Sequence, residues 1–205
     1  MEFDKEQLFN LINEISSLKT IDISEIPDID LYMDQVTTFM EDKLEQFKRT
    51  EEDKVLTKTM INNYTKNKII PSPTKKKYSK EHMMLLILTY HLKQILSIGD
   101  IHSLLSPFSK KNNIENKISI QVKKLYENFL EIQSREYSNF SKEMLKKVDE
   151  LEGQIHTEEE NSDFLMLYSA IFYLIVQASI QKKLAENLID NFFVNNKKNS
   201  NKESH

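Results

Sequence analysis

Turn-forming residues are the scarcest feature of this sequence. Only two Gly and four Pro occur among 205 residues, and a sheet of several strands needs such residues at its tight turns. Charged residues make up 29% of the chain, and Lys, Glu, Leu and Asn dominate long stretches of it. This composition is typical of helices. The sequence therefore predicts an all-α fold.

Several functional classes are disfavoured by what the sequence lacks. No Cys is present, which excludes disulfides and thiolate metal sites. The five His have no H-x-x-x-H or similar spacing, so we expect no metal site. Since no Gly-rich phosphate loop or Ser-His-Asp arrangement can be recognised, we expect neither a cofactor nor an enzyme. The N-terminal MEFDKEQLFN is acidic and unlike a signal peptide, so we expect a cytoplasmic protein.

Apolar residues at helical spacing predict helices along most of the chain. The predicted helices cover residues 3–19, 30–47, 57–66, 80–95, 98–105, 118–151 and 163–193. Hydroxyl side chains that can cap the first free backbone N–H groups precede three of these helices, at Thr57, Ser79 and Ser97. Residues 194–205 have the polar composition of a disordered tail.

The last two predicted helices carry unusual apolar patterns. Residues 118, 122, 125, 129 and 132 follow the 4-3-4-3 spacing of a helix pair or coiled coil. Phe164–Ile180 is apolar on all sides, which fits the core of a monomer. It also fits a dimer interface packed on the 118–151 helix of the same or a partner chain, and less well a membrane span. We expect a homodimer and no membrane insertion, and the sequence indicates no particular small-molecule effector.

A concentrated positive segment contrasts with the acidic chain around it. Residues 54–80 contain eight Lys and no Asp or Glu, although the whole chain has a net charge of -4. Such a local positive field suits a polyanion, such as nucleic acid, an anionic membrane surface or an acidic protein. A merely solvated run of charges remains an open alternative.

The helix predicted over 57–66 has two chemically distinct sides. Met60, Ile61 and Tyr64 fall on one side, and an amide, hydroxyl and cation stripe falls opposite, formed by Thr59, Asn62, Asn63 and Lys66. Asn, Lys and Thr can pair with base edges and phosphates in a DNA major groove. Pro71 and Pro73 prevent the next segment from being helical. That Lys-rich loop would contact phosphates as a wing, through Lys58, Lys68, Lys75, Lys76, Lys77 and Lys80.

These residues carry a resemblance to a known class of proteins. Met60–Leu105 resembles the DNA-binding head of MerR-type regulators, with Tyr64, Ile69-Ile70-Pro71, Tyr78 and Ile101-Leu104-Leu105 at matching positions. More closely, IDLYMDQVTTFMEDKL and LTKTMINNYTKNKIIP resemble a family of bacterial proteins typified by YkrK, presumed to be transcriptional regulators. The resemblance implies a MerR-like winged helix-turn-helix head, joined here to a C-terminal long-helix bundle or dimerisation unit.

Together these observations predict a domain organisation and a function. We expect an N-terminal helix (1–25), a winged helix-turn-helix DNA-binding domain (26–107), a helical C-terminal region for dimerisation or regulation (108–193) and a tail (194–205). The expected function is sequence-specific binding of double-stranded DNA by a transcriptional regulator that acts as a repressor. The alternative is a helical interaction module whose basic face docks an acidic partner.

Overall fold

A computed structural model describes residues 5–109, 115–153 and 162–194. These residues form α1 (Lys5–Ser16), β1 (Leu31–Tyr32), α2 (Met33–Leu44), α3 (Lys58–Lys66), β2 (Lys77–Tyr78), α4 (Lys80–Leu92), α5 (Ile98–Leu105), α6 (Glu115–Glu152) and α7 (Ser162–Ile189). Short 3-10 turns follow α2 and α5, and a π-helical turn, Asp190–Val194, follows α7. The predicted all-α class is confirmed. The predicted tail beyond residue 194 lies outside the described residues.

Two compact units make up the fold. One contains Ile21–Leu130 and the chain from Leu184 onward, and the other contains the chain up to Thr20 and Glu131–Lys183. The domain boundaries predicted from the sequence, at residues 25, 107 and 193, rest on a family resemblance rather than on packing. They stay predictions.

Helix α4 is the centre of the larger unit. All nine residues from His82 to Tyr90 are buried, because the sequence HMMLLILTY is apolar or compact on every side. Buried residues of α2, α3, α5 and α6 belong to the same hydrophobic cluster as α4, among them Val36, Ile61, Ile101 and Tyr126. The end of the helix predicted over 80–95 is wrong, since α4 ends at Leu92 and Ile95 is 56% exposed.

A strand pair that the sequence analysis did not foresee joins distant parts of this unit. β1 pairs antiparallel with β2, placing Leu31 opposite Tyr78 and Tyr32 opposite Lys77. Leu31 and Tyr78 are both buried, so the pairing adds hydrophobic contact to the backbone hydrogen bonds. This strand also explains why α2 begins at Met33 rather than near residue 30.

In the smaller unit, three helical segments share a modest hydrophobic cluster. Its buried members are Ile12 of α1, Met144 and Val148 of α6, and Met166 and Ala170 of α7. Ser141 also donates a hydrogen bond to Asn13, at 2.8 Å, which links α6 to α1. Most of the apolar surface of α7 stays outside this cluster.

Helix α6 is continuous, and its buried residues differ from the predicted seam. Ile132 is 52% exposed, whereas Gln133 is buried and donates a hydrogen bond to the Tyr137 hydroxyl at 2.9 Å. The buried positions 122, 126, 133, 144 and 148 follow the 3.6-residue period of a straight helix rather than the 3.5-residue period of a supercoil. In the predicted 4-3-4-3 seam, Val122 is buried and Leu125 and Phe129 pack against the core, so its last member, Ile132, is the wrong one among the described side chains.

Among the described residues, one helix is long and apolar enough to cross a membrane. It spans Phe164–Val194, its mean hydropathy is 1.6, and only 11% of that apolar window is buried. Length and composition alone do not separate a membrane span from a surface that another protein covers. The described part of α7 is mostly exposed, unlike the core helix of a compact domain.

His91 generates a prediction about stability and pH. Its ring lies 4.9 Å from Phe47 and 5.2 Å from Phe129 between ring centres, and burial lowers its pKa to about 4. The folded chain therefore holds His91 neutral, while the unfolded chain protonates it below about pH 6.5. As the pH falls from 6.5 towards 4, we expect this residue to remove about 3 kcal/mol from the free energy of unfolding.

Urea denaturation at pH 7 and pH 4.5 measures this loss in the wild type and in His91→Phe. We expect the loss on acidification to be smaller by ~2–3 kcal/mol in the variant, because Phe has no proton to take up. His102→Phe is the control, since it also removes a histidine but leaves the contacts of His91 with Phe47 and Phe129 intact. Equal losses in all three proteins would contradict the assignment.

Candidate nucleic-acid interface

Helix α3 exposes the polar stripe that the sequence predicts. The Thr57 side chain accepts a hydrogen bond from the Met60 N–H at 3.2 Å, which fixes the start of the helix as predicted. Ile61 and Tyr64 are buried on one side. The opposite side exposes Thr59, Asn62, Asn63 and Lys66. Since no carboxylate interrupts this stripe, it can approach a polyanion.

The end of α3 is fixed by a Schellman motif. The Ile69 N–H bonds the Tyr64 carbonyl at 2.9 Å, and the Lys68 N–H bonds the Thr65 carbonyl at 3.0 Å. This motif needs a residue with positive φ just after the helix, which is usually Gly. Lys68 takes that place with φ 56°. Ile69 and Ile70 are buried immediately afterwards, so the chain leaves the helix in one fixed direction.

The predicted wing is a tight β-hairpin. Thr74 and Lys77 exchange two backbone hydrogen bonds, at 3.1 and 3.0 Å, and the two residues between them have positive φ. These are Lys75 (51°) and Lys76 (64°), the pattern of a type I′ turn. Pro71 and Pro73 precede the hairpin and keep the chain extended.

Three non-glycine residues in the described parts of the chain have positive φ, and all three are lysines. A Cβ makes this backbone region cost about 1–2 kcal/mol per residue, and Asn or Gly would fit it better. All three lysines lie within the positive segment, and their side chains are exposed. The backbone at these three positions is thus less stable than it would be with Gly or Asn. Each strained position instead carries an exposed ammonium group.

The base of the hairpin is held by the core. Tyr78 is buried, and its ring meets the His82 ring edge-on at 5.6 Å. The Ser79 N–H donates to Nδ1 of His82 at 3.1 Å, where Ser79 is the N-cap of α4. Burial raises the pKa of Tyr78, which a hydrogen bond with the Thr65 side chain partly offsets. Tyr78 therefore connects the hairpin to α3 and to α4.

The predicted phosphate-binding lysines fall into two electrostatic groups. Lys68, Lys75 and Lys76 form no ion pair with any described residue. Neither does Lys66, which belongs to the exposed polar stripe of α3. In contrast, Lys58 pairs with Asp34, and Lys80 pairs with Asp28 at 2.6 Å. Lys77 places its Nζ 5.1 Å from the centre of the Tyr32 ring. Six of the eight lysines of the segment are thus available to a ligand without breaking an ion pair with the described residues.

The two paired carboxylates come from outside the positive segment. Asp28 and Asp34 precede and begin α2, and their side chains are 88% and 79% exposed. Sequence reasoning missed them because these contacts join residues far apart in the chain, and no spacing rule relates them. Exposed ion pairs of this kind contribute about 0–1 kcal/mol, so a competing phosphate can displace them.

An open cleft of about 550 Å³ lies between α2 and the start of α3. It is lined by Thr37, Thr38, Glu41, Asp42, Leu56, Thr57 and Lys58. Residues 5–109, 115–153 and 162–194 contain no group of three or more His, Asp or Glu side chains that could hold a metal ion. The cleft is shallow and is lined by both acidic and basic side chains, and we assign it no ligand.

These elements define a class of protein: a helical domain with a basic helix followed by a basic hairpin. Residues 21–129 match a family described as a domain of unknown function (DUF1836). Because the match covers more than half of the chain, the chain belongs to this family. The matched region contains α2 to α5, the hairpin and the first part of α6, and it excludes α1 and α7. No curated protein and no solved structure matches the sequence.

The strained hairpin generates a prediction about stability. Replacing Lys76 by Gly should raise the free energy of unfolding by about 1 kcal/mol, because Gly adopts φ 64° without a steric penalty. The measurement is urea denaturation at neutral pH.

Lys124→Gly is the matched control for Lys76→Gly. Lys124 is an exposed residue inside α6, where Gly should lower the free energy of unfolding by ~0.5–1 kcal/mol. The two substitutions remove the same charge, so opposite signs isolate the backbone contribution. If Lys76→Gly destabilised the protein as Lys124→Gly does, the turn would not be strained.

Proposed function

We propose that this protein is a sequence-specific double-stranded DNA-binding regulator of transcription, acting as a repressor. In this proposal residues 26–107 are a MerR-like winged helix-turn-helix head of the YkrK-like kind. Helix α2 supports α3, α3 enters the major groove, and the hairpin contacts the backbone as the wing. The observation that carries the proposal is the combination of a carboxylate-free polar stripe on α3 with unpaired lysines at the strained hairpin tip.

The α3 stripe has the chemistry for reading bases. Asn62 and Asn63 are exposed amides on a helix that is capped and anchored from below by Ile61 and Tyr64. An Asn side chain can form two hydrogen bonds with the edge of adenine, and Lys66 can donate to guanine acceptors. A rigid helix positions such groups better than a mobile loop does. We therefore assign base recognition to Thr59, Asn62, Asn63 and Lys66.

The hairpin and its neighbours have the chemistry for binding phosphates. Lys68, Lys75 and Lys76 project from backbone that is fixed by hydrogen bonds and form no ion pair with the described residues. Each phosphate that they neutralise releases counterions, which makes affinity depend steeply on salt. Lys58, Lys77 and Lys80 are assigned to phosphates as well, and for Lys58 and Lys80 the phosphate must replace a carboxylate.

One observation favours a second candidate function. Asp34 and Asp28 already occupy Lys58 and Lys80, so this surface accepts carboxylates. An acidic protein could place its own carboxylates on the free lysines in the same way, and the domain would then be an interaction module. This alternative makes no use of the exposed amides on α3.

Selection from genomic fragments at physiological salt separates the two functions. A regulator returns a recurring sequence motif, whereas a module that docks acidic proteins returns none. We expect a motif, and we expect the protein to occupy it as a cytoplasmic homodimer without a cofactor or enzymatic activity. Two heads would read a palindrome with half-sites about 34 Å apart. The absence of a motif would overturn the proposed function.

The wing assignment predicts how the salt dependence of binding changes. Lys75→Asn combined with Lys76→Gly keeps the type I′ turn, because Asn-Gly is its preferred sequence. Loss of two phosphate contacts should flatten the slope of log K against log salt by about 1.8 per head. Fluorescence anisotropy with the selected DNA, titrated from low to physiological KCl, measures the slope.

Lys123→Gln with Lys124→Gln is the control for the wing variant, because it removes an equal charge from α6. The control should leave the slope unchanged within error. An unchanged slope in the wing variant would contradict the phosphate contacts, and misfolding could not explain it.

If the polar stripe of α3 reads bases, removing one of its amides should reduce discrimination between DNA sequences more than overall affinity for DNA. Asn62→Ala should cost ~1–3 kcal/mol on the selected site and much less on a scrambled site, because it removes base contacts only. Competition binding with both DNAs measures the difference. Asn128→Ala, an exposed amide on α6, is the control. Equal weakening on both DNAs would remove Asn62 from the base-reading set.

A further inference from the structure

Helix α7 presents an apolar stripe that the described residues of its own unit leave exposed. The α7 stripe consists of Phe164, Tyr168, Ile171, Phe172 and Ile175, which are between 42% and 59% exposed. Its aromatic members already contact one another, with ring centres 4.9 Å apart for Phe164–Tyr168 and 5.8 Å apart for Tyr168–Phe172. The opposite side of α7, through Met166 and Ala170, belongs to the hydrophobic cluster with α1 and α6. The stripe thus faces away from its own unit.

The size of the exposed surface fits a protein–protein contact. A whole aromatic side chain can bury about 150–250 Å², so the exposed fractions of the stripe amount to several hundred Å² on one chain. Leu165, Leu174 and Val176 lie beside it on the helix and are 42–55% exposed. A standard interface buries ~800 Å² per partner, and the stripe with these neighbours can supply a large part of that area.

The spacing of the stripe suits a second helix of the same kind. Residues 164, 168, 171 and 175 recur at intervals of four, three and four, which is the spacing of side chains that pack between two helices. A two-fold axis through the stripe would place the same residues on both sides, as an isologous contact requires. The stripe carries no charge that would repel its copy.

The neighbouring helix argues against a bilayer as the occupant. Lys147 of α6 places its Nζ 5.1 Å from the centre of the Tyr173 ring on α7 and pairs with Glu150 at 2.8 Å. Lys146 also reaches Glu150. Helix α7 is thus flanked along its middle by exposed charges of α6, which are costly inside a membrane. An aqueous protein partner leaves these charges in water.

We propose that the α7 stripe packs against the α7 stripe of a second copy and forms a homodimer. This interface lies outside the residues matched by the family, so it belongs to the part of the chain that family membership does not explain. The proposal does not depend on DNA binding, because it concerns self-association alone. If the heads do bind DNA, the same interface joins two of them.

The absence of cysteine makes a direct test possible. The chain contains no Cys, so a single introduced Cys can form only one kind of disulfide between two chains. Under mild oxidation, Tyr168→Cys, Ile171→Cys and Ile175→Cys should each yield cross-linked dimers. The relative yields of the three variants show where the two helices cross. Ile95→Cys is the control, since Ile95 is as exposed as Ile175, at 56% each, and is not part of the α7 stripe.

Sedimentation velocity over a range of concentrations supplies the second measurement. Ile175→Glu should raise the dimer dissociation constant at least ~100-fold, because two carboxylates would meet in an apolar contact. Ile95→Glu should leave it unchanged. Since Ile175 is already exposed in the single chain, both variants should keep wild-type circular dichroism. A dimer that survives Ile175→Glu, or a wild type that stays monomeric, would overturn the proposal.

Vesicles of phosphatidylglycerol and phosphatidylethanolamine test the competing occupant. We expect the wild-type protein to stay in the supernatant when these vesicles are pelleted. Pelleting of the wild type that is lost in Ile175→Glu would assign the stripe to a membrane and overturn the dimer. DNA affinity for a single half-site separates the proposals, because Ile175→Glu should leave it intact while the wing variant weakens it.

Discussion

Burial of α4 is the constraint on which the larger unit depends. Nine consecutive buried residues cannot form one face of a helix, so α4 must be surrounded. Helices α2, α3, α5 and α6 supply the surrounding surfaces, and Tyr78 and Ser79 attach the hairpin to the first turn of α4. The basic helix and the basic hairpin are therefore rigid because they border a fully packed helix. A surface that recognises another molecule benefits from this rigidity, because less conformational entropy is lost on binding.

The three strained lysines separate what stabilises the fold from what the surface presents. A Schellman motif and a type I′ turn are both stable with Gly or Asn at their positive-φ positions. Lysine at positions 68, 75 and 76 makes each of them less favourable, and these side chains form no hydrogen bond or ion pair with the described residues that would offset the cost. Residues held in sparsely populated backbone regions concentrate where a protein functions. The cost is therefore consistent with ammonium groups that act on another molecule.

The sequence predicted local features well and distant contacts poorly. The N-cap positions at Thr57, Ser79 and Ser97 are confirmed, because a cap and its partner lie within three residues. At Thr57 and Ser97 the hydroxyl accepts a backbone hydrogen bond as expected, whereas the Ser79 hydroxyl bonds the side chains of Glu81 and His82. The sides of α3 are confirmed for the same reason, since helical period alone decides them.

The β1–β2 pair and the carboxylates on Lys58 and Lys80 were missed because they join separate segments. Two-residue strands such as Leu31–Tyr32 leave no alternating pattern to read. For α7 the sequence left a monomer core and a dimer interface open. An all-round apolar sequence predicts burial, but it does not tell whether the covering surface belongs to the same chain.

The carboxylates beside the basic segment have a consequence for selectivity. Under the proposed function, DNA that binds Lys58 and Lys80 must displace Asp34 and Asp28, at a cost of about 0–1 kcal/mol for each exposed pair. After the exchange, the negative side chains of Asp28 and Asp34 still lie next to the bound polyanion. They repel any ligand whose phosphates do not lie at the unpaired lysines. Non-specific DNA binding draws mainly on phosphate contacts, so this penalty weighs most heavily on it. A site that also bonds the α3 amides gains energy that the carboxylates do not oppose. The acidic residues at the edge of a basic surface can thus increase discrimination between DNA sequences, although they reduce the total attraction.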